Sequence, residues 1–87
     1  MADHCVFVFV KTASRTAEDV GNEIKDSIEE VRDIYSIMGD NDLLIKIVSK
    51  DIGFIQKVVN ERIRGVQGVA ATSTILGYQI YGENWIA

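Results

Sequence analysis

The chain has 87 residues, 47% of them hydrophobic and none of them proline, and a net charge of −4. It is one small domain, and a chain this short buries only about 60% of its unfolded surface when it folds alone, so its apolar content points to self-association. Nine basic residues against thirteen acidic ones, spread along the chain, argue against direct nucleic-acid contact. With one cysteine there is no internal disulfide framework, and without a basic leader or a long apolar run a cytoplasmic, non-membrane protein is expected.

The run HCVFVFVK (4–11) reads as the first strand, because β-branched and aromatic side chains suit a pleated surface. A polar loop, TASR, follows. Thr16 is placed to cap a helix, with Asp19 at the third helical position. Ala17, Val20, Gly21, Ile24 and Ile28 share one helical face. Glu29 and Glu30 would oppose the dipole at a helix C-terminus, so the helix is ended near Ile28. VRDIYSIM (31–38) is the second strand, broken by Gly39, and DLLIKIVS (42–49) is the third. Ser49 or Asp51 caps a second helix with an inner face of Ile52, Ile55, Val58, Val59 and Ile63. Arg62 and Arg64 suit its last turn and Gly65 the residue beyond. GVAATSTILGYQIY (68–81) is the last strand. The aromatic tail GENWIA has no assigned element, but its Trp85-Ile86 pair is expected to dock on its own subunit or a neighbour.

The order β-α-β-β-α-β, with a faint repeat at an offset of about 38 residues, predicts an α+β, ferredoxin-like antiparallel sheet with the first and third strands central. Those two are the most apolar, and the more polar second and fourth fall at the edges. Alternation puts Cys5, Phe7 and Phe9 on one face of strand one and Val6, Val8 and Val10 on the other. Helices can cover only one of these faces. The other is therefore expected to meet a second copy about a two-fold axis, in the manner of dimeric α+β barrels.

Few residues point to chemistry. His4 and Cys5 are adjacent on a strand, so they leave opposite faces and do not chelate one ion together. No phosphate cradle, CxxC or HExxH pattern occurs, and no catalytic residue, metal or cofactor is assigned. In MGDND (38–42), Gly39 can take positive φ while Asp and Asn side chains make local turns, and a turn alone accounts for most of the stretch. The pair of carboxylates beside exposed N–H groups also suits the ammonium of an amino acid. In ATST (71–74), Thr72 and Thr74 share one face and Ser73 takes the other. Their hydroxyls either meet water on an edge strand or bind a carboxylate.

VFVFVKT, VRDIYSIMGDNDLLIKI, ERIRGVQGV and TSTIL, in this order and spacing, resemble the ligand-binding (RAM) domain of the Lrp/AsnC regulators, over about Val6 to Leu76. The most specific part is the Gly-Asp-x-Asp-Leu run at Gly39–Leu43. The resemblance implies dimers formed through the sheets, assembly into rings such as octamers of four dimers, and an amino-acid effector held between dimers. Carried over residue by residue, it implies a ligand site at Gly39, Asp40, Asn41, Asp42, Thr72, Ser73 and Thr74. Asn41 stands where the family often has an aromatic residue. With strand one beginning almost at Met1, the resemblance implies a stand-alone domain without a helix-turn-helix, which joins full-length relatives or acts alone. Two alternatives stay open: a small dimeric α+β barrel enzyme, monooxygenase-like or isomerase-like, and a purely structural oligomerisation module.

Overall fold

The computed structural model describes residues 4–78 and 80–82; Trp85 and Ile86 lie outside them. The elements are β1 (His4–Thr12), α1 (Ala17–Ser27), β2 (Val31–Ser36), β3 (Leu43–Ser49), α2 (Ile52–Lys57) and β4 (Val69–Gly77). Between α2 and β4 the helix continues as a π-helical segment, Val58–Ile63. The four strands pair antiparallel in the order β2-β3-β1-β4, so the two most apolar strands are central as expected.

α1 starts where Thr16 accepts a hydrogen bond from the Asp19 N–H (3.1 Å) and turns Val20, Gly21 and Ile24 inward. α2 starts at Asp51, whose carboxylate accepts from the Phe54 N–H (3.1 Å), while the Ser49 hydroxyl accepts from the Asp51 N–H (3.2 Å). Of the two expected caps Asp51 is the one used, and Ser49 holds the residue that caps. Val6, Val8 and Val10 of β1 and Leu43, Ile45 and Ile47 of β3 form the floor of the core. Val20, Ile24, Ile28, Ile55, Val58, Val59 and Ile63 close it from above. Each fully buried Val or Ile contributes roughly 1.5–3 kcal/mol of transfer free energy, so this layer fixes which face the helices cover.

Four local expectations are corrected. β2 stops at Ser36 rather than Met38, because the Ile37 N–H is donated to the Asp42 carbonyl (3.0 Å) and closes the loop. β4 ends at Gly77, short of Tyr81. Ile52 is 42% exposed in the first turn of α2 and does not join the inner face. Gly65 is not in the left-handed region, which is taken instead by Gly68 (φ +98°). The second helix ends by widening: the Arg64 N–H reaches back five residues to the Val59 carbonyl (3.1 Å), which leaves no need for a left-handed glycine there. Arg62 then ties this end to the rest of the helical layer, donating to the Ser27 carbonyl (2.7 Å) and lying 3.5 Å from the Glu30 carboxylate.

Candidate functional site

The GDND loop sits at the end of the sheet where β2 crosses to β3. Gly39 takes φ +139°, a conformation that residues with a Cβ rarely adopt. Asp42 holds the loop at three points, two of them on β1. Its N–H is donated to the Val10 carbonyl (2.9 Å), its carbonyl accepts from Ile37, and its carboxylate accepts from the Thr12 N–H (2.8 Å). That bond from Thr12, with the nearby Lys11 charge adding to it, holds the Asp42 carboxyl below its usual range. Asp40 is exposed, and the Lys11 ammonium donates to its backbone carbonyl (3.0 Å). Its carboxylate makes no hydrogen bond or ion pair among the described residues. Asn41 is half-buried beside it.

The hydroxyl residues of β4 are divided as alternation requires. Thr72 lies opposite Val10 and Thr74 opposite Val8, on the helix side of the sheet, while Ser73 lies opposite Phe9 on the other face. Thr72 shares the loop's end of the sheet, but β1 stands between it and β3. Two strand spacings put it about 10 Å away from Leu43, and Thr74 lies about 7 Å further along. One subunit therefore does not gather Gly39–Asp42 and Thr72–Thr74 around a single small molecule. A cavity of about 340 Å³ between β4 and the second helix takes in Thr74 alone of these residues, with Val6, Ile55, Val59 and Leu76, and with Gln56 and Asn60 as its amides. These amides fall on the outer side of the helix; nothing in their spacing singles them out in the sequence. A groove of about 400 Å³ between α1 and β2 contains none of the expected residues.

The face of the sheet away from the helices carries Phe7, Phe9, Leu44, Tyr35 and Ile75 around one charged pair. Lys46, only 12% exposed in its side chain, lies 3.9 Å from Asp33. A one-residue irregularity in β2 at Arg32 brings Asp33 opposite Lys46. Lys46 is visible in the sequence as the one charge in LLIKIV, but its partner depends on that irregularity. Cys5 is buried on this face. Burial pushes its thiol up, against the lowering pull of Lys46. Among the described residues no group of three or more His, Cys, Asp and Glu side chains could hold a metal ion, and no helix is long and apolar enough to cross a membrane.

Comparison with known proteins agrees with this architecture. The family model described as the Lrp/AsnC ligand binding domain matches residues 5–84. A proline dehydrogenase transcriptional activator of Rhizobium radiobacter is 31% identical over 87 residues, 97% of this chain and 55% of that protein. The chain thus spans about half the length of this curated relative. A homocitrate synthase of Sulfolobus acidocaldarius is 43% identical over 49 residues, 56% of this chain and 10% of the enzyme. Among solved structures, a protein of Thermus thermophilus superposes with a TM-score of 0.79 at 26% identity, covering 91% of this chain and 98% of that one. That relative is therefore a small version of the domain with little else attached. On the family match over nearly its whole length, this chain belongs to the Lrp/AsnC family, as a ligand-binding domain.

Proposed function

We propose that the chain is a stand-alone regulatory module that assembles with copies of itself and binds an amino acid where copies meet, without touching DNA and without catalysing a reaction. The observation that carries this reading is the pairing of an occupied with an unoccupied aspartate in one family-type loop. Asp42 is spent on the fold, while the Asp40 carboxylate stands exposed without a partner among the described residues. An α-ammonium is the natural counterpart of Asp40, and loop N–H groups or the hydroxyls of Thr72, Ser73 or Thr74 from a second copy would meet the α-carboxylate. Recruiting a second copy answers the geometry, since one subunit holds its own β4 hydroxyls too far from its loop. The output would be transcription, through full-length relatives, or metabolism. The match to part of a homocitrate synthase supports the second route, since a similar stretch there is part of an enzyme.

The test is a thermal-shift screen with the twenty amino acids, because a ligand of the folded state alone raises its stability. Calorimetric titration of the best one with the wild type and Asp40→Asn follows. A charge-assisted hydrogen bond is worth about 1.5–3 kcal/mol, so the variant is expected to bind roughly ten-fold or more weakly with its melting point unchanged. Equal affinity, or no amino acid that binds, leaves the loop a turn and the chain an assembly module. A gel shift by the pure protein at physiological salt with sequence preference would overturn the claim of no DNA contact.

A further inference from the structure

The groove of about 400 Å³ between α1 and β2 belongs neither to the GDND loop nor to the open face of the sheet. Its floor is apolar, with Ile34 of β2 and Leu43 of β3 beneath Gly21 of α1. Gly21 is buried in the interior of an eleven-residue helix, where glycine is a poor choice. Neither conformation nor crowding demands it there. It is not in the left-handed region, and a Cβ would lie 3.5 Å from Ile34 Cγ2 and 3.6 Å from Leu43 Cδ2, which are ordinary contacts. What the missing side chain does is deepen the groove.

The charges on its rim are sorted by end. α1 runs back along the sheet before β2 sets out again. Lys25, late in α1, therefore stands with Arg32, early in β2, while Glu18, in the first turn of α1, stands with Ser36 at the end of β2. Glu18 and Lys25 are about two turns apart, roughly 10 Å along the helix axis. Arg32 sits at the irregularity of β2, and such bulges re-aim a side chain. The side chains of Glu18, Asn22 and Arg32 make no hydrogen bond or ion pair among the described residues. Lys25 has only Asp26, 4.0 Å away with both side chains exposed, a contact worth little. Asp33 also lines the groove, but its carboxylate lies 3.9 Å from Lys46 of the opposite face.

We propose that this groove binds an elongated zwitterion of about the length of a tripeptide. Its carboxylate lies between Lys25 and Arg32, its ammonium meets Glu18, and its middle crosses Gly21 beside the Asn22 amide. Extended backbone rises about 3.3 Å per residue, so three residues span the roughly 10 Å between the charged ends. A single α-amino acid carries both charges on one carbon and does not reach from end to end. The Asn22 amide donates and accepts, as a peptide group requires of a neighbour. The site is separate from the amino-acid site proposed at Asp40, and a second copy over Phe7 and Phe9 leaves it open, because it lies on the helix side of the sheet.

Trialanine is the probe, followed by backbone amide chemical shifts and by calorimetric titration. Saturable shifts at Gly21, Asn22 and Ile34 are expected at millimolar peptide or below. Alanine, and trialanine acetylated and amidated at its ends, should not produce them. Glu18→Gln and Arg32→Gln each remove one exposed charge and should weaken binding roughly three- to five-fold, the size of an exposed ion pair. Added salt should weaken it too. Gly21→Ala is expected to melt roughly 4–8 °C higher than the wild type and to bind trialanine more weakly, because its methyl group raises the floor. A loss of binding in a more stable protein is not a folding defect. Asp40→Asn should bind trialanine as the wild type does, so this proposal and the reading of the loop fail separately. No saturable shift with millimolar trialanine, equal binding of alanine or of the blocked peptide, or unchanged affinity in both charge variants overturns the proposal.

Discussion

Asp40 and Asp42 are two residues apart and do different work, and the difference comes from what their carboxylates meet. The sequence shows two acids behind a glycine. It does not show that the second one accepts a hydrogen bond from the Thr12 N–H thirty residues earlier. That bond depresses the folded-state carboxyl of Asp42. A depressed carboxyl contributes stability that is fully present above its unfolded value, about 3.9, and is lost as pH falls through the folded value. Asp42→Ala is therefore expected to melt at a lower temperature than the wild type at pH 7. The gap should narrow as pH drops below about 4. Melting curves at a series of pH values check this; a gap that stays constant down to about pH 2 would mean the carboxylate charge is not what holds the loop.

At the scale of elements, much of the fold was legible because pattern and propensity agree. The period-two runs of β1 and β3, the cap at Thr16 and the charge reversal after Ile28 each point to a boundary the structure places within a residue or two. The second helix was legible only in part. Its caps and most of its inner face are where the pattern puts them, but the pattern assumes about 3.6 residues per turn throughout. The π-helical segment breaks that assumption, and nothing local in VVNERI announces it. Gly65 is the consequence: it reads as a left-handed cap, yet its constraint is crowding. A Cβ added there would lie 2.9 Å from the Glu61 carbonyl oxygen. Gly65→Ala is expected to destabilise the domain by about 1–3 kcal/mol, as overpacking does. Urea unfolding measures it, and a neutral or stabilising effect would show that the widened turn relaxes at no cost. The candidate site was less legible than the elements. GDND and TST belong together in the family pattern, but strand order puts β1 between them, and strand order is a long-range property that no spacing along the chain reveals.

For the whole molecule, the question left by composition was where so much apolar surface goes. The helices settle on Val6, Val8 and Val10, leaving Phe7 and Phe9 on the face they do not cover. Around those rings lie Leu44 and Ile75, the latter 48% exposed, with Tyr35 at 52%. We propose a second copy packed face to face over this patch, with the Lys46–Asp33 pair as a polar element in an otherwise apolar contact. A partly desolvated ion pair adds little net stability, but it penalises packings that leave either charge unmatched. Phe9 is a cleaner probe of the contact than Phe7, because Phe7 lies directly opposite Lys46 and a lysine there would repel it within one chain. Phe9→Lys lies opposite Leu44 and Ser73 instead. It places one ammonium per subunit in the centre of the patch, where association would have to strip it of water. The wild type is expected to be at least a dimer at micromolar concentration, and Phe9→Lys to break this contact while keeping the wild-type circular dichroism spectrum. Val8→Lys, on the buried face, should instead prevent folding. Light scattering of the three proteins decides between a real interface and an apolar but solitary face. A monodisperse 9.7 kDa wild type would mean that the open face meets only water.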